Sequence, residues 1–208
     1  MPLVRKSADQ LPGPKPDASK VLQLLASSST DERWAAARAA ADVVGGVSAI
    51  AAALPREHDS RVREAMFTSL ARHATAESID AIAGLLRSNN ANLRTGALDT
   101  LRILAGAAPG LLPRLLSDAD ADVRILSCEL ARSLPSAEAT HVLCALLAAE
   151  TEINVCAAAV DVLAEVGSSD ALATLNECAR RFGDSPFIAF AIEIVIHRIT
   201  SQSTPARA

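Results

Sequence analysis

A short pattern returns six times along this 208-residue chain at nearly constant intervals. The aligned triplets are Asp31-Glu32-Arg33, Arg61-Val62-Arg63, Asn92-Leu93-Arg94, Asp122-Val123-Arg124, Asn154-Val155-Cys156 and Pro186-Phe187-Ile188. Their third positions are 30, 31, 30, 32 and 32 residues apart. Eight positions after each middle residue stands Ala40, Leu70, Leu101, Ala131, Leu163 or Val195, on the same helical face after about two turns. This period predicts an array of stacked units.

Each unit divides into two helices. In the second unit Asp59 and Ser60 supply N-cap chemistry, apolar residues follow at helical spacing, and a break at Ala74-Thr75 precedes a second apolar helix. Connections this short make the two helices antiparallel neighbours. We predict a leading helix at 18–28, units near 30–58, 59–88, 89–117, 118–148 and 149–183, and a closing helix at 185–199, all in one domain at 18–200. Pro113 predicts that the second helix of the third unit is short or starts late.

Composition supports helices over strands. The chain is 50% hydrophobic but only 2% aromatic, so alanine must do much of the packing. Alanine is the best helix former and a poor strand former, which excludes a large β-sandwich or barrel. We therefore expect an all-α fold in which small side chains let helices approach closely.

The two ends of the chain lack these patterns. Residues 1–17 hold four prolines among polar residues and predict a disordered tail, as do residues 201–208. The start lacks the apolar core of a signal peptide, and no run of about eighteen apolar residues could span a bilayer. We therefore expect a cytoplasmic protein with no membrane partner.

The unit starts resemble those of bacterial HEAT-like repeats, including the subtype known from phycobilin lyase subunits. The residues that carry the resemblance are the acidic starts Asp59-Ser60-Arg61-Val62-Arg63 and Asp120-Ala121-Asp122-Val123-Arg124, and the second helices that end in two leucines, such as Leu85-Leu86. The resemblance covers about residues 18–200. It implies a right-handed α-solenoid of about five antiparallel helix pairs and says nothing of activity.

In such families the repeated arginine joins a ladder with acidic residues that ties one unit to the next. The ladder residues implied here are Asp59, Arg63, Arg94, Asp120 and Arg124. Asp59 and Asp120 each stand four residues before an arginine, a spacing that supports a helix by a few tenths of a kcal/mol. Cys156 and Ile188 replace arginine in the last two units. We therefore expect the ladder to stop near the fourth unit and apolar contacts to hold the rest.

Charge argues against nucleic acid as a partner. The formal net charge is −4, and all three lysines lie within the first twenty residues. Nucleic-acid affinity rests mainly on clustered lysine and arginine, which the body of this chain lacks.

Catalytic and metal-binding patterns are scarce. The four histidines fall in different units, and no phosphate loop or metalloprotease motif occurs. His141 and Cys144 share a helix face but are two ligands where zinc needs three or four. Glu193 and His197 form a similar pair. The four cysteines show no Cys-x-x-Cys spacing and are expected to be reduced and mostly buried. We predict no enzyme activity, metal or cofactor.

The predicted function is a non-catalytic interaction scaffold or regulatory adaptor for a protein partner, possibly in bacterial signalling or a multi-protein assembly. The alternative is a subunit of a phycobilin-lyase-like or chaperone-like complex that handles a bilin chromophore. Mixed charges with few aromatic residues suit a reversible protein contact. The candidate partner-binding residues interrupt the apolar pattern of the second helices: Glu77, Asp80, Arg87, Arg114, Glu138, His141, Asn176, Glu177 and Arg181.

The two ends of the array form a second candidate surface, which comprises Trp34, Ile188, Ile192 and Ile196. Trp34, the sole tryptophan, either packs against the leading helix as a lid, the favoured interpretation, or anchors a partner. The closing helix carries apolar residues around about two-thirds of its circumference. It either caps the open end of the array, again favoured, or offers a patch for a partner or a second copy. We expect a monomer or a weak homodimer through this helix.

Overall fold

The computed structural model of the protein describes residues 17–104, 108 and 110–203, and these ranges are helical throughout with short connections. The predicted all-α class is confirmed. The α-helices in these ranges are α1 (Ala18–Leu24), α2 (Thr30–Ala40), α3 (Gly46–Ala53), α4 (Ser60–His73), α5 (Ala76–Gly84), α6 (Ala91–Leu104), α7 (Leu111–Leu116), α8 (Ala121–Cys128), α9 (Ser136–Ala149), α10 (Ile153–Val166), α11 (Leu172–Arg181) and α12 (Pro186–Ser203).

The chain forms two compact units that divide between Ala81 and Ile82. In the first unit α2 packs against α4, and α1 packs against α2 and α3. Asp17, Ser29 and Asp59 cap the N-termini of α1, α2 and α4, each accepting a hydrogen bond from a backbone N–H of the first turn. These caps start the helices close to the predicted positions.

In the second unit the first helices of successive repeats stack, with α10 between α8 and α12. The second helices α9 and α11 stack likewise. Helix α7, which contains Pro113, is only 6 residues long, so the predicted shortening is confirmed. Gly110 starts α7 with a φ of 92°, a left-handed conformation that glycine adopts without a steric penalty.

The repeated positions form the core. Five of the six residues that follow the triplets by eight positions are fully buried, and Val195 is 2% exposed. Three of the six are alanine or valine. Ala36, Ala37 and Ala40 are the buried residues of α2, which packs closely against α4. Small side chains are therefore the packing rule of the array, as the composition predicted.

The two terminal helices differ from their predicted lengths. The leading helix was predicted at 18–28 but ends at Leu24, because Ser27 to Ser29 form the turn that caps α2. The closing helix was predicted at 185–199 but continues to Ser203, where a tail was predicted. The Thr200 hydroxyl donates to the carbonyls of Ile196 and His197, and no proline follows before Pro205. Residues 1–16 and 204–208 lie outside the described residues.

None of the described helices is both long enough and apolar enough to cross a membrane. The domain limits and the handedness of the superhelix stay predictions.

Candidate binding surfaces

The repeated arginine ties each first helix to the loop that precedes it. Its Nη1 atom donates to the carbonyl six residues earlier in all four units that carry it, at 2.6–3.1 Å. In three of them it also donates to the carbonyl five residues earlier, at 3.2 Å. The arginines are Arg33, Arg63, Arg94 and Arg124. Each of them therefore satisfies carbonyls that the helix ends leave unpaired.

The residue at the start of each loop makes a second repeated contact. Its side-chain oxygen accepts the N–H of the residue two positions later, at 2.8–3.1 Å. The five residues are Ser27, Glu57, Ser88, Asp118 and Glu150. Sequence reasoning did not single them out, although they follow the same period of 30 to 32 residues as the arginines.

Two of these loop residues are buried carboxylates that bind an arginine of the preceding repeat. Glu57 receives the Nε of Arg33 at 2.7 Å, and Glu150 receives the Nε of Arg124 at 2.6 Å. Burial on its own raises the pKa of both carboxyls. Hydrogen bonds from the arginines and from two backbone N–H groups outweigh it, so both pKa values lie below the usual range. These pairs are the ion-pair links between repeats.

The predicted ladder residues have other partners than their spacing suggested. Asp59 accepts the N–H groups of Arg61 and Val62, and Asp120 accepts that of Asp122, so both acids are helix caps. A carboxylate at an N-cap lies beside free backbone N–H groups, which it binds at less entropic cost than an extended arginine. The acids that bind the repeated arginines come from the next loop instead.

The last two repeats keep the loop contact with different residues. The Cys156 thiol donates to the Glu150 carbonyl at 3.9 Å, again six residues earlier. Arg181 donates to the carbonyls of Leu147 and Ala148, and Arg198 to those of Leu163 and Gly167. Among the described residues, the last arginine–glutamate link of this type is Arg124–Glu150. The expected reliance on apolar contacts beyond it is thus supplemented by relocated arginines.

Each compact unit has an open groove between two consecutive second helices. Groove A lies between α7 and α9 in the second unit and has a volume of about 480 Å³. Groove B lies between α1 and α3 in the first unit and has a volume of about 520 Å³. Arg124 and Glu150 line groove A, and Arg33 and Glu57 line groove B. The grooves are therefore repeats of one feature, each with an arginine–glutamate pair in its wall.

All nine predicted partner-binding residues are exposed, and among the grooves described here only His141 contributes to groove A. Several of the others hold the fold. Arg87 pairs with Asp118, Glu177 pairs with Arg180, and Arg181 binds the end of α9. Glu77 accepts a hydrogen bond from Ser48. The structure thus brings only His141 into a concave surface.

Trp34 does not form the expected lid on the leading helix. Its ring lies between α2 and α4, with the Cζ of Arg38 at 4.8 Å and that of Arg61 at 5.9 Å from the ring centroid. The two guanidinium groups attract the ring by cation–π interactions and so turn it toward α4. The ring lines a cleft of about 400 Å³ in the first unit, the Trp34 cleft, together with Thr68, Ser69 and other α4 residues.

The closing helix has one buried face and one exposed apolar face. Ile188 and Ile192 were predicted as surface residues, but they are 0% and 1% exposed, because this face packs on α10 and α11. Ile196 is half-buried. The exposed residues are Phe187, Phe190 and Ile194, at 73%, 64% and 53%. Both interpretations therefore apply to parts of the helix, and the weak homodimer stays a prediction.

Potential metal ligands and thiols do not gather into a site. Within the described ranges, no three histidine, cysteine or acidic side chains could hold a metal ion together. The four cysteines are free, and three are buried. Burial raises the pKa of Cys128 to about 12 and also raises that of the half-buried Cys144. A hydrogen bond with Cys156 lowers the pKa of Cys178.

Comparison with protein families identifies HEAT repeats at residues 108–192, which is less than half of the chain. The predicted resemblance is confirmed for this segment. No curated protein matches the sequence.

Solved structures resemble the chain only at low identity. An archaeal HEAT-like repeats protein from Thermococcus onnurineus is 14% identical, with 88% of this chain and 87% of that chain covered and a TM-score of 0.44. A designed armadillo repeat protein in complex with the peptide (KR)4 is 16% identical, with 88% and 99% covered and a TM-score of 0.42. The complex of CpcE and CpcF of phycocyanin lyase from Nostoc is 14% identical, with 96% and 100% covered and a TM-score of 0.38.

Proposed function

We propose that this chain is a non-catalytic scaffold that binds an extended segment of a partner protein in groove A. The observation that carries the proposal is the composition of the groove wall. Small and apolar side chains of α9 line the groove beside a charge pair that is already satisfied within the protein. An apolar floor with a polar rim is the usual anatomy of a protein-binding surface.

The shape of groove A fits a polypeptide. His141, Ala145 and Ala149 lie on α9 one helical turn apart and give the wall a length of about 12 Å. A polypeptide segment of about four extended residues spans that length. Ala145 and Ala149 are exposed, so a partner side chain can pack between the helices without displacing the core.

The polar groups of groove A are poorly suited to catalysis. Arg124 and Glu150 bind each other, Asp118 binds Arg87, and the Ser117 hydroxyl donates to the Pro113 carbonyl. A nucleophile needs a neighbouring base within hydrogen-bond reach, and no such pair lines this groove in the part of the chain that the structure describes. The groups therefore hold the groove in shape.

The experiment compares two substitutions on the same helix. Ala145→Arg places a long cation inside groove A, whereas Ala148→Arg places the same side chain on an exposed position of α9 outside the groove. Wild-type protein and both variants are used to capture partners from a lysate of the source organism, and bound proteins are quantified by mass spectrometry. Circular dichroism verifies that both variants fold.

The proposal predicts a specific partner that wild type and Ala148→Arg retain and Ala145→Arg loses. Equal capture by both variants, or no specific capture by wild type, would falsify it. The bilin alternative stays a prediction, and adding a bilin to the purified protein tests it by a change in visible absorption. The cytoplasmic location and the part played in signalling or in an assembly are likewise predictions.

A further inference from the structure

We propose that the Trp34 cleft binds an acidic peptide segment. This site lies in the first compact unit and is separate from groove A. The inference deepens the proposed scaffold function, on which it rests in so far as the ligand is part of a protein partner.

Arginine dominates the charge of the cleft. Its lining includes Arg38, Arg61 and Arg72, with Glu64 as the one acidic residue in the lining. The chain as a whole has a formal net charge of −4. The cleft is therefore a local cationic site on an acidic protein, and such a site attracts a ligand of opposite charge.

Two of the three guanidinium groups are available to a ligand. Arg38 is exposed, and within the described ranges it has no ion-pair partner. Arg61 lies 3.9 Å from Asp31, and both side chains are mostly exposed, so this pair is weak. Arg72 is occupied, because it binds Asp42 at 2.7 Å and the Arg38 carbonyl at 3.0 Å.

Trp34 holds these two guanidinium groups in place. A guanidinium that lies over an indole ring keeps its N–H edge free, and that edge can bind a carboxylate in bidentate fashion. Because the ring already carries two cations, it is not a bare stacking platform for a nucleotide base. The ring therefore orients donors for an anion.

An unsatisfied hydroxyl at the cleft is an independent sign of a ligand. Ser69 is 2% exposed and lines the cleft, and its Oγ atom is buried without a hydrogen-bond partner. Buried polar atoms are almost always paired, so an unpaired one requires an explanation. A carboxylate or a peptide carbonyl in the cleft would accept a hydrogen bond from this hydroxyl.

The length of the cleft favours a peptide over a small anion. Arg61, Ala65, Thr68 and Arg72 line it at successive turns of α4, which gives a wall of about 16 Å. About five extended residues span this distance. A phosphate ion would fill only a small part of the cleft. The carboxylates of an acidic segment can instead reach Arg38 and Arg61 together.

The sole tryptophan makes this proposal directly testable, since the chain contains no tyrosine and Trp34 dominates the emission. Hexaglutamate is titrated into the full chain at low ionic strength while the emission is recorded. Hexalysine and inorganic phosphate serve as the other probes. We expect a saturable emission change with hexaglutamate alone, which weakens as salt is added.

Two variants locate the binding. Arg38→Gln removes one charged donor and should weaken hexaglutamate binding about tenfold, whereas Arg180→Gln, which removes an exposed arginine of α11, should leave it unchanged. Arg61→Gln provides a second variant from α4 and should also weaken binding. Ala145→Arg should bind hexaglutamate normally, which separates the two proposed sites.

Three results would overturn the proposal. The first is the absence of a saturable change when hexaglutamate is added to wild type. The second is equal affinity of Arg38→Gln and Arg180→Gln for hexaglutamate. The third is binding of inorganic phosphate or hexalysine as tight as that of hexaglutamate, because it would indicate a small-anion site or unspecific association. Each of these results leaves the capture experiment on groove A unaffected.

Discussion

Arg124 and Glu150 form a two-point ion pair between successive repeats. The arginine Nε donates to Oε2 at 2.6 Å and Nη2 donates to Oε1 at 3.1 Å. The two side chains are 13% and 5% exposed, so water competes little for either partner. The same glutamate binds the N–H groups of Thr151 and Glu152 and thereby holds the loop that leads into α10.

Glu150→Ala should lower the free energy of unfolding by about 3 kcal/mol, because it leaves the buried Arg124 guanidinium without its counter-charge. Glu165→Ala is the matched control. Glu165 pairs with Arg132 but is 64% exposed, and its loss should cost about 0.5 kcal/mol. Urea unfolding measures both values, and equal losses in the two variants would contradict the structural role of Glu150.

The sequence predicted the arginine period but not the partners of these arginines. Asp59 and Asp120 stand at the helical spacing from an arginine, yet both bind backbone N–H groups. Glu57 and Glu150 lie 24 and 26 residues beyond their arginines, a separation that only stacked helix pairs bring together. Local spacing reveals local pairs, whereas a link between repeats depends on how the helices stack.

Acid should destabilise the protein through these two glutamates. Their pKa values are lowered in the folded state, relative to about 4.3 in an unfolded chain. Their contribution to stability is therefore present in full above about pH 4.3 and is lost as the pH falls through the folded pKa values. Urea unfolding from pH 7 to pH 3 should show a steeper loss in wild type than in Glu57→Gln/Glu150→Gln. Parallel curves would show that the glutamates do not cause the acid sensitivity.

The two faces of the closing helix should respond oppositely to charge. Ile192→Asp buries a carboxylate against α10 and should cost at least about 3 kcal/mol. Phe190→Asp falls on the exposed face and should change stability by about 0.5 kcal/mol or less. Thermal unfolding followed by circular dichroism separates the two. A stably folded Ile192→Asp variant would mean that this face is not part of the core.

The helical wheel could not tell these two faces apart, since apolar residues cover most of α12. Alignment of the repeats also points the wrong way for Phe187. Its counterparts Val123 and Val155 are buried, whereas Phe187 is 73% exposed. In the described part of the chain, no second helix follows α12 to cover that side. The apolar period thus predicts core positions only where a complete helix pair is present.

Cys144 should be the first thiol to react with an aromatic disulfide reagent. It is half-buried, whereas Cys128, Cys156 and Cys178 are buried. The lowered pKa of Cys178 favours its thiolate, but its 1% exposure keeps the reagent away. Cys144→Ser should therefore remove the fastest phase, and Cys128→Ser should retain it. A fast phase that persists in Cys144→Ser would assign the accessible thiol to another residue.

The central claim is that a partner protein lies in groove A, and site-specific photo-crosslinking tests it most directly. A photoreactive amino acid is placed at position 145, inside the groove, or at position 148, on an exposed part of α9 outside it. Both proteins are irradiated in the cells of origin. The account predicts a discrete covalent adduct with a protein from position 145 and none from position 148. Adducts of equal yield from both positions, or from position 148 alone, would contradict it.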